Sequence, residues 1–230
     1  MAKSKPRLGK TIDQVLAEFL AEQKRRLSHS TTAKYETIVS LFKSYCESYW
    51  PGHDGESDRV TKAGGTYCGT YGPEDIVDGY SEFLGYFMPR KVVAGKETMT
   101  AAGTVTKKLA QWLVAKGYIR EAEDAVEEAG RAAKELPASQ DVFDLLAAYI
   151  DTEGPSDDEC QRLLEDHFWI KRIEPGKLWL EPFISASSTV GPVPVSEEVT
   201  QGCKVDWDIG GVLGKTDGGW RFVEVWSVSP

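Results

Sequence analysis

Cations on helix-like segments are the residues in this chain whose types and spacing most suggest a chemical role. Lys24, Arg25 and Arg26 close the first helix-like segment, where positive charge also suits the negative end of a helix dipole. Lys34 and Lys43 follow on a second such segment, Arg90 and Lys91 after a third, and Lys107 and Lys108 on a fourth. A groove lined by Lys24, Arg25, Arg26, Lys34, Lys107 and Lys108 would hold nucleic-acid phosphates by displacing condensed counterions, with little sequence preference. Each lysine taken alone reads as solvated surface; only convergence in space would make a site of them.

Other chemistries find less support. Gly214-Lys215-Thr216 matches the end of a phosphate-binding loop, but position 209 is Ile where that motif needs Gly. Asp217-Gly218-Gly219 then leads into a strand, so no helix N-terminus is expected to face a phosphate there. Cys46, His53 and Cys68 could together hold a structural zinc, although no C-x-x-C pair occurs and Cys46 sits on an apolar helix face, where it reads as core. The three histidines stand in no H-x-x-R, H-E-x-x-H or G-x-S-x-G setting. The carboxylates Asp157, Asp158, Glu159, Glu165 and Asp166 form an acidic run of the kind that is usually a solvated face. No cofactor, no metal and no catalytic residue is therefore expected.

The chain has 230 residues and a formal net charge of −9, with 41% hydrophobic residues, enough to build cores. The charge is unevenly spread. Residues 1–120 carry 18 Lys and Arg against 13 Asp and Glu, residues 121–166 carry 3 against 15, and residues 167–230 carry 6 against 8. Four scattered cysteines fit a reducing compartment, MAKSKPRLGK is not followed by an apolar stretch, and the longest apolar run is Leu145–Ile150. A soluble, cytoplasmic protein without a membrane partner is the expectation.

The elements that must position these residues change character along the chain. Thr11 and Gln14 form a capping box ahead of Ile12, Val15, Leu16, Phe19 and Leu20 on one helical face. A second helix is expected from Ser30-Thr31-Thr32, carrying Tyr35, Ile38, Val39, Phe42, Tyr45, Cys46 and Tyr49, and residues 51–73 read as a long irregular loop. Pro73 suits the start of a third helix bearing Ile76, Tyr80, Phe83, Leu84 and Phe87. A fourth runs from about Thr98 to Lys116 and ends at Gly117. Glu121–Glu135 reads as an acidic, alanine-rich surface or connector helix broken by Pro137, followed by short helices at Asp141–Tyr149 and Asp157–Leu164.

From His167 the period falls to two. HFWIKRI and KLWLEPF flank Pro175-Gly176, and GPVPVS, KVDWDIGGVLG and WRFVEVWSV follow. Five short strands predict a small antiparallel β-barrel or curled sheet, with Gly210-Gly211 marking a bulge or bend. Alternation groups Trp207 with Val205 and Ile209 as core, Trp169 with His167 and Lys171, and Trp179 with Glu181. Trp169 and Trp179 could stack bases, grip a peptide, or dock against the helical part.

The segment LSHSTTAKYETIVSLFKSY, with Ser28, Thr31 or Thr32, Tyr35 and Phe42 in an S-x-x-T-x-x-x-Y…F cadence, resembles the N-terminal SAM-like core-binding domain of phage integrases and other tyrosine recombinases. TIDQVLAEFL and TVTKKLAQWLVAKGYI resemble that domain's first and last helices. The resemblance spans residues 10–120 and implies a helical bundle that clamps DNA. The family's catalytic Arg, H-x-x-R and Tyr set does not follow, so recombination by this chain alone is not implied.

These readings combine into an α+β chain: an integrase-like helical bundle over 1–118, an acidic helical connector over 119–166, and a small β-barrel domain over 167–230. The leading expectation is a non-catalytic DNA-binding or nucleoprotein accessory module that could also bind a protein through the barrel. The alternative is a protein-interaction or scaffold protein that does not bind nucleic acid. A third reading assembles an enzyme site from the 51–73 loop and the barrel.

Overall fold

The computed structural model describes residues 9–49, 60, 62, 64–184 and 189–230. The fold is α+β, a helical bundle followed by a five-stranded antiparallel sheet curled into a half-barrel. Its contacts separate into two compact units, one of residues 1–88 with 97–134, the other of residues 89–96 with 135–230.

In the helical unit, α1 (Ile12–Lys24) starts at the Thr11–Gln14 capping box, each side chain accepting from the other residue's backbone N–H. Helix α2 (His29–Ser48) starts one residue before its Ser-Thr-Thr run, because the Ser28 hydroxyl accepts from Thr31 N–H and caps it. A single turn, α3 (Tyr67–Thr70), follows; its first amides donate to the Glu47 carboxylate, Tyr67 N at 2.7 Å and Cys68 N at 2.9 Å. The expected third helix is instead a relay. It passes from 3₁₀ turns at Pro73–Asp75 and Val77–Gly79 through α4 (Tyr80–Glu82) and a π-type turn at Phe83–Phe87 to α5 (Met88–Lys91). Gly79 and Gly85 weaken the helix, and Pro89 has no N–H to return to the preceding turn. The expected apolar face survives this irregularity, since Ile76, Tyr80, Phe83, Leu84 and Phe87 are all buried.

Helix α6 (Lys96–Ala115) ends as expected at Gly117, which has φ +73°, with Tyr118 N–H returning to Leu113 O and Gly117 N–H to Val114 O. Phe19 packs edge-on against Trp112 of α6 and tilted on Tyr35 of α2, while Phe42 meets Tyr80 and Phe83 edge-on.

Helix α7 (Glu123–Glu153) is one continuous helix with Pro137 inside it, where the sequence suggested a break and two shorter helices. Its alanine-rich part is no bare connector. Ala125, Ala129 and Ala132 are buried, and a methyl built on Gly103 of α6 would lie 2.2 Å from Ala133 N and 2.7 Å from Ala129 O. Small residues on both helices permit this close crossing, and alanine's low hydrophobicity hid it from periodicity.

In the second unit, the helix expected at Asp157–Leu164 is absent: a 3₁₀ turn covers Asp157–Glu159, and β1 (Arg162–Glu174) is already under way. Strands β2 (Lys177–Pro182) and β3 (Val190–Pro194), the short helix α8 (Glu197–Gly202), β4 (Asp208–Thr216) and β5 (Gly219–Ser229) complete it. The strand order is β3-β2-β1-β4-β5, every pair antiparallel, and the edge strands β3 and β5 approach each other. Phe168, Ile170, Leu178, Leu180, Val193, Ile209, Phe222 and Val228 fill the inside with Val142 and Leu146 of α7. Trp207 joins this core, but Val205 is 52% exposed because regular pairing of β4 begins only at Asp208. The β4–β5 register slips at Gly210/Gly211, as the glycine pair suggested.

Candidate functional site

The six cations expected to line a phosphate groove all belong to the helical unit. Lys24 is exposed and lies 3.9 Å from Glu36; Arg25 is the exposed C-cap of α1; Arg26 donates from Nε to Gln23 Oε1 at 2.9 Å. Lys34 is bound to Glu97. Lys107 is half-buried against α7, where a methyl on Gly130 would lie 3.3 Å from its Nζ, and Lys108 is exposed.

The last turn of α1 lies beside the last turn of α6, because Trp112 Nε1 and Lys116 Nζ both reach Glu22 Oε2, at 3.1 and 2.7 Å. Lys24, Arg25 and Arg26 therefore lie at the end of α1 that meets the last turn of α6, whereas Lys107 and Lys108 sit near the middle of α6, with Lys107 against α7. Lys34, whose partner Glu97 opens α6, belongs toward the other end of that helix.

Carboxylates interleave with these and the neighbouring cations. Lys10 pairs with Glu18 and Lys43 with Asp13 at 2.6 Å, in addition to the pairs of Lys24, Lys34 and Lys116. The hydrogen bond from Lys10, then that from Tyr118, holds the Glu18 carboxyl below its ordinary range. Lys116 and then Trp112 do the same for Glu22.

Cys46 and Cys68 are both fully buried free thiols, and burial pushes the Cys46 thiol well up. His53 lies outside the described residues. Among the described residues no group of three His, Cys, Asp or Glu side chains is placed to hold a metal ion. Gly214-Lys215-Thr216 lies inside β4 and turns directly into β5, with Lys215 over the Trp220 ring.

A second polar cluster, in the half-barrel unit, is one that the sequence reading does not single out. On the outer face of the half-barrel, two rows cross β1, β4 and β5: His167–Gly210–Ser227 and Trp169–Asp208–Ser229. Their neighbours Phe168, Ile209 and Val228 point inward. Asp208, whose side chain is 8% exposed, accepts from His167 Nδ1 at 2.9 Å and from Arg90 Nη2. A methyl on Gly210 would stand 2.8 Å from both His167 Cε1 and Ser227 Oγ, so glycine here leaves room for both side chains over β4. The Ser227 and Ser229 hydroxyls are buried with no hydrogen-bond partner among the described residues. The residue types are those of a nucleophilic triad. The arrangement is not one: Ser227 makes no bond to His167, and Asp208 is shared with a guanidinium.

Beside His167, Trp169 (37% exposed) packs on Phe183 (64%), and Ile184 (81%) follows. Phe183 N–H donates to His167 O, and Ile184 N–H to the buried Asp166 carboxylate. Trp179 is half-buried under the Arg172 guanidinium, 4.5 Å from the ring centre. The signal that could have revealed the cluster is the alternation H-x-W, D-x-G and S-x-S on three strands, legible only once their register is known.

Comparison with protein-family models, with curated proteins and with solved structures finds no match to this chain. Among the described residues, no helix is long and apolar enough to cross a membrane.

Proposed function

We propose that this chain is a protein-interaction module rather than a nucleic-acid clamp. The observation that carries this reading is the self-neutralisation of the helical unit, whose lysines at positions 10, 24, 34, 43 and 116 all have carboxylate partners within the same unit. That unit holds 17 Lys and Arg against 18 Asp and Glu, and the half-barrel unit 10 against 18. Polyanions are repelled by such a surface, whereas the exposed Trp169, Phe183 and Ile184 form an apolar contact of the kind proteins use.

A second reading keeps the integrase-like, non-catalytic DNA-binding module. It is supported by Arg25, Lys107 and Lys108, which have no ion pair among the described residues. Duplex DNA titrated with the full chain across a salt series separates the two. The protein-interaction reading expects no binding even at low salt. Binding that weakens by several counterions' worth of slope would overturn it, and Lys107→Glu/Lys108→Glu would then have to abolish that binding.

A further inference from the structure

Residues 89–96, from α5 to the first residue of α6, carry Arg90 and belong with the half-barrel unit, held there by Arg90 on Asp208 and by Lys96 on Asp141 at 2.5 Å. Val93, midway along it, is fully exposed, so this segment is a strap on the surface rather than a buried element. Its arginine nevertheless reaches a carboxylate with only 8% of its side-chain surface open to solvent. A carboxylate so buried is costly without a cationic partner.

The surroundings of Asp208 exceed what Arg90 uses. Ser229 stands directly across β5 from Asp208, and Ser227 lies one row along; both hydroxyls are buried and lack partners among the described residues. Buried hydroxyls of this kind ordinarily have partners. His167 fixes the second carboxylate oxygen at 2.9 Å, leaving the first for the guanidinium. Trp169 is the β1 partner of Asp208 in the same row, and its indole is 37% exposed beside Phe183, which suits it to the face of a planar cation.

We propose that the outer face of the half-barrel at Asp208, His167, Ser227, Ser229 and Trp169 is a guanidinium-binding site, that Arg90 is its resident occupant, and that an arginine-bearing peptide is the ligand that exchanges with it. This rests on the protein-interaction reading for the peptide, while the site stands on its own geometry. A tethered occupant competes at high effective concentration, so an incoming arginine must displace the strap before it binds. The net negative half-barrel favours a cationic partner over an acidic one.

The test is chemical rescue of the full chain carrying Arg90→Met, which keeps the aliphatic stem and removes the guanidinium. Millimolar methylguanidinium is expected to raise the thermal midpoint of this variant by about 2–4 °C, through binding to the folded state alone. It is expected to leave the wild type and Arg90→Met/Asp208→Asn without any rise. Should Arg90→Met be unfolded in buffer, refolding on addition of methylguanidinium reads the same site.

The second arm titrates an acetylated, amidated Gly-Arg-Gly-Arg-Gly peptide and follows tryptophan fluorescence. Binding is expected at least about tenfold tighter to Arg90→Met than to wild type, and lost in the double variant. Absence of rescue overturns the site. Rescue without peptide binding overturns the arginine peptide as ligand, while the protein-interaction reading falls only to salt-dependent DNA binding.

Discussion

Gly103 shows how one residue can decide a packing. Its Cα faces the backbone of α7 so closely that a methyl there would lie 2.2 Å from Ala133 N and 2.5 Å from its Cα, backbone atoms that cannot turn aside. Gly103→Val is expected to force α6 and α7 apart and cost about 3 kcal/mol or more, the range of severe core overpacking, read as a lower denaturation midpoint with unchanged helicity before the transition. Neither this glycine nor the alanines it meets could be singled out from sequence, because periodicity weighs large apolar side chains and both partners here are small. The aromatic core was legible for the opposite reason: Phe19, Phe42, Tyr45, Tyr80 and Phe83 stand at helical spacing, and all five are buried. The Asp208 cluster was illegible because Arg90 lies 118 residues before its carboxylate and His167 lies 41 before it.

At the scale of elements, caps and turns were read more reliably than the segments between prolines. The Thr11 box, the Gly117 stop and the Gly210-Gly211 register slip are where local chemistry puts them. Gly117→Ala would place a Cβ at φ +73°, and a loss of about 1 kcal/mol is expected, measured by urea denaturation with an unchanged m-value. Pro137 misled in the other direction. A proline inside a helix costs roughly 3 kcal/mol in isolation, yet α7 continues because buried residues flank it on both sides, with Leu136, Ser139, Val142 and Leu146 all inaccessible. The Ser139 hydroxyl donates to Leu136 O just after the proline. Tertiary burial overrides local propensity here, as it does in the relay of turns over residues 73–91, where the apolar spacing held and the regular helix did not.

For the whole molecule, the formal charge of −9 is less informative than where each charge closes. Glu18 and Glu22 lie between cations and ring donors that hold their carboxyls below the ordinary value. A carboxyl depressed in the folded state contributes stability above its unfolded pKa, and that contribution is lost as pH falls through the folded value. Acid unfolding of Glu18→Gln/Glu22→Gln, followed by circular dichroism, is therefore expected to show a shallower loss of stability below about pH 4.5 than the wild type; an identical acid limb would show that these pairs do not couple to folding. The two compact units are interleaved along the chain, since residues 89–96 group with the half-barrel and residues 97–134 return to the bundle. That threading sets an order of events on the ribosome. Arg90 emerges long before the strand bearing Asp208, and α6 leaves the exit tunnel before the part of α7 that covers Gly103. The strap is therefore synthesised before the carboxylate that holds it, and Gly103 before the alanines that cover it, so both close contacts wait for later chain to arrive.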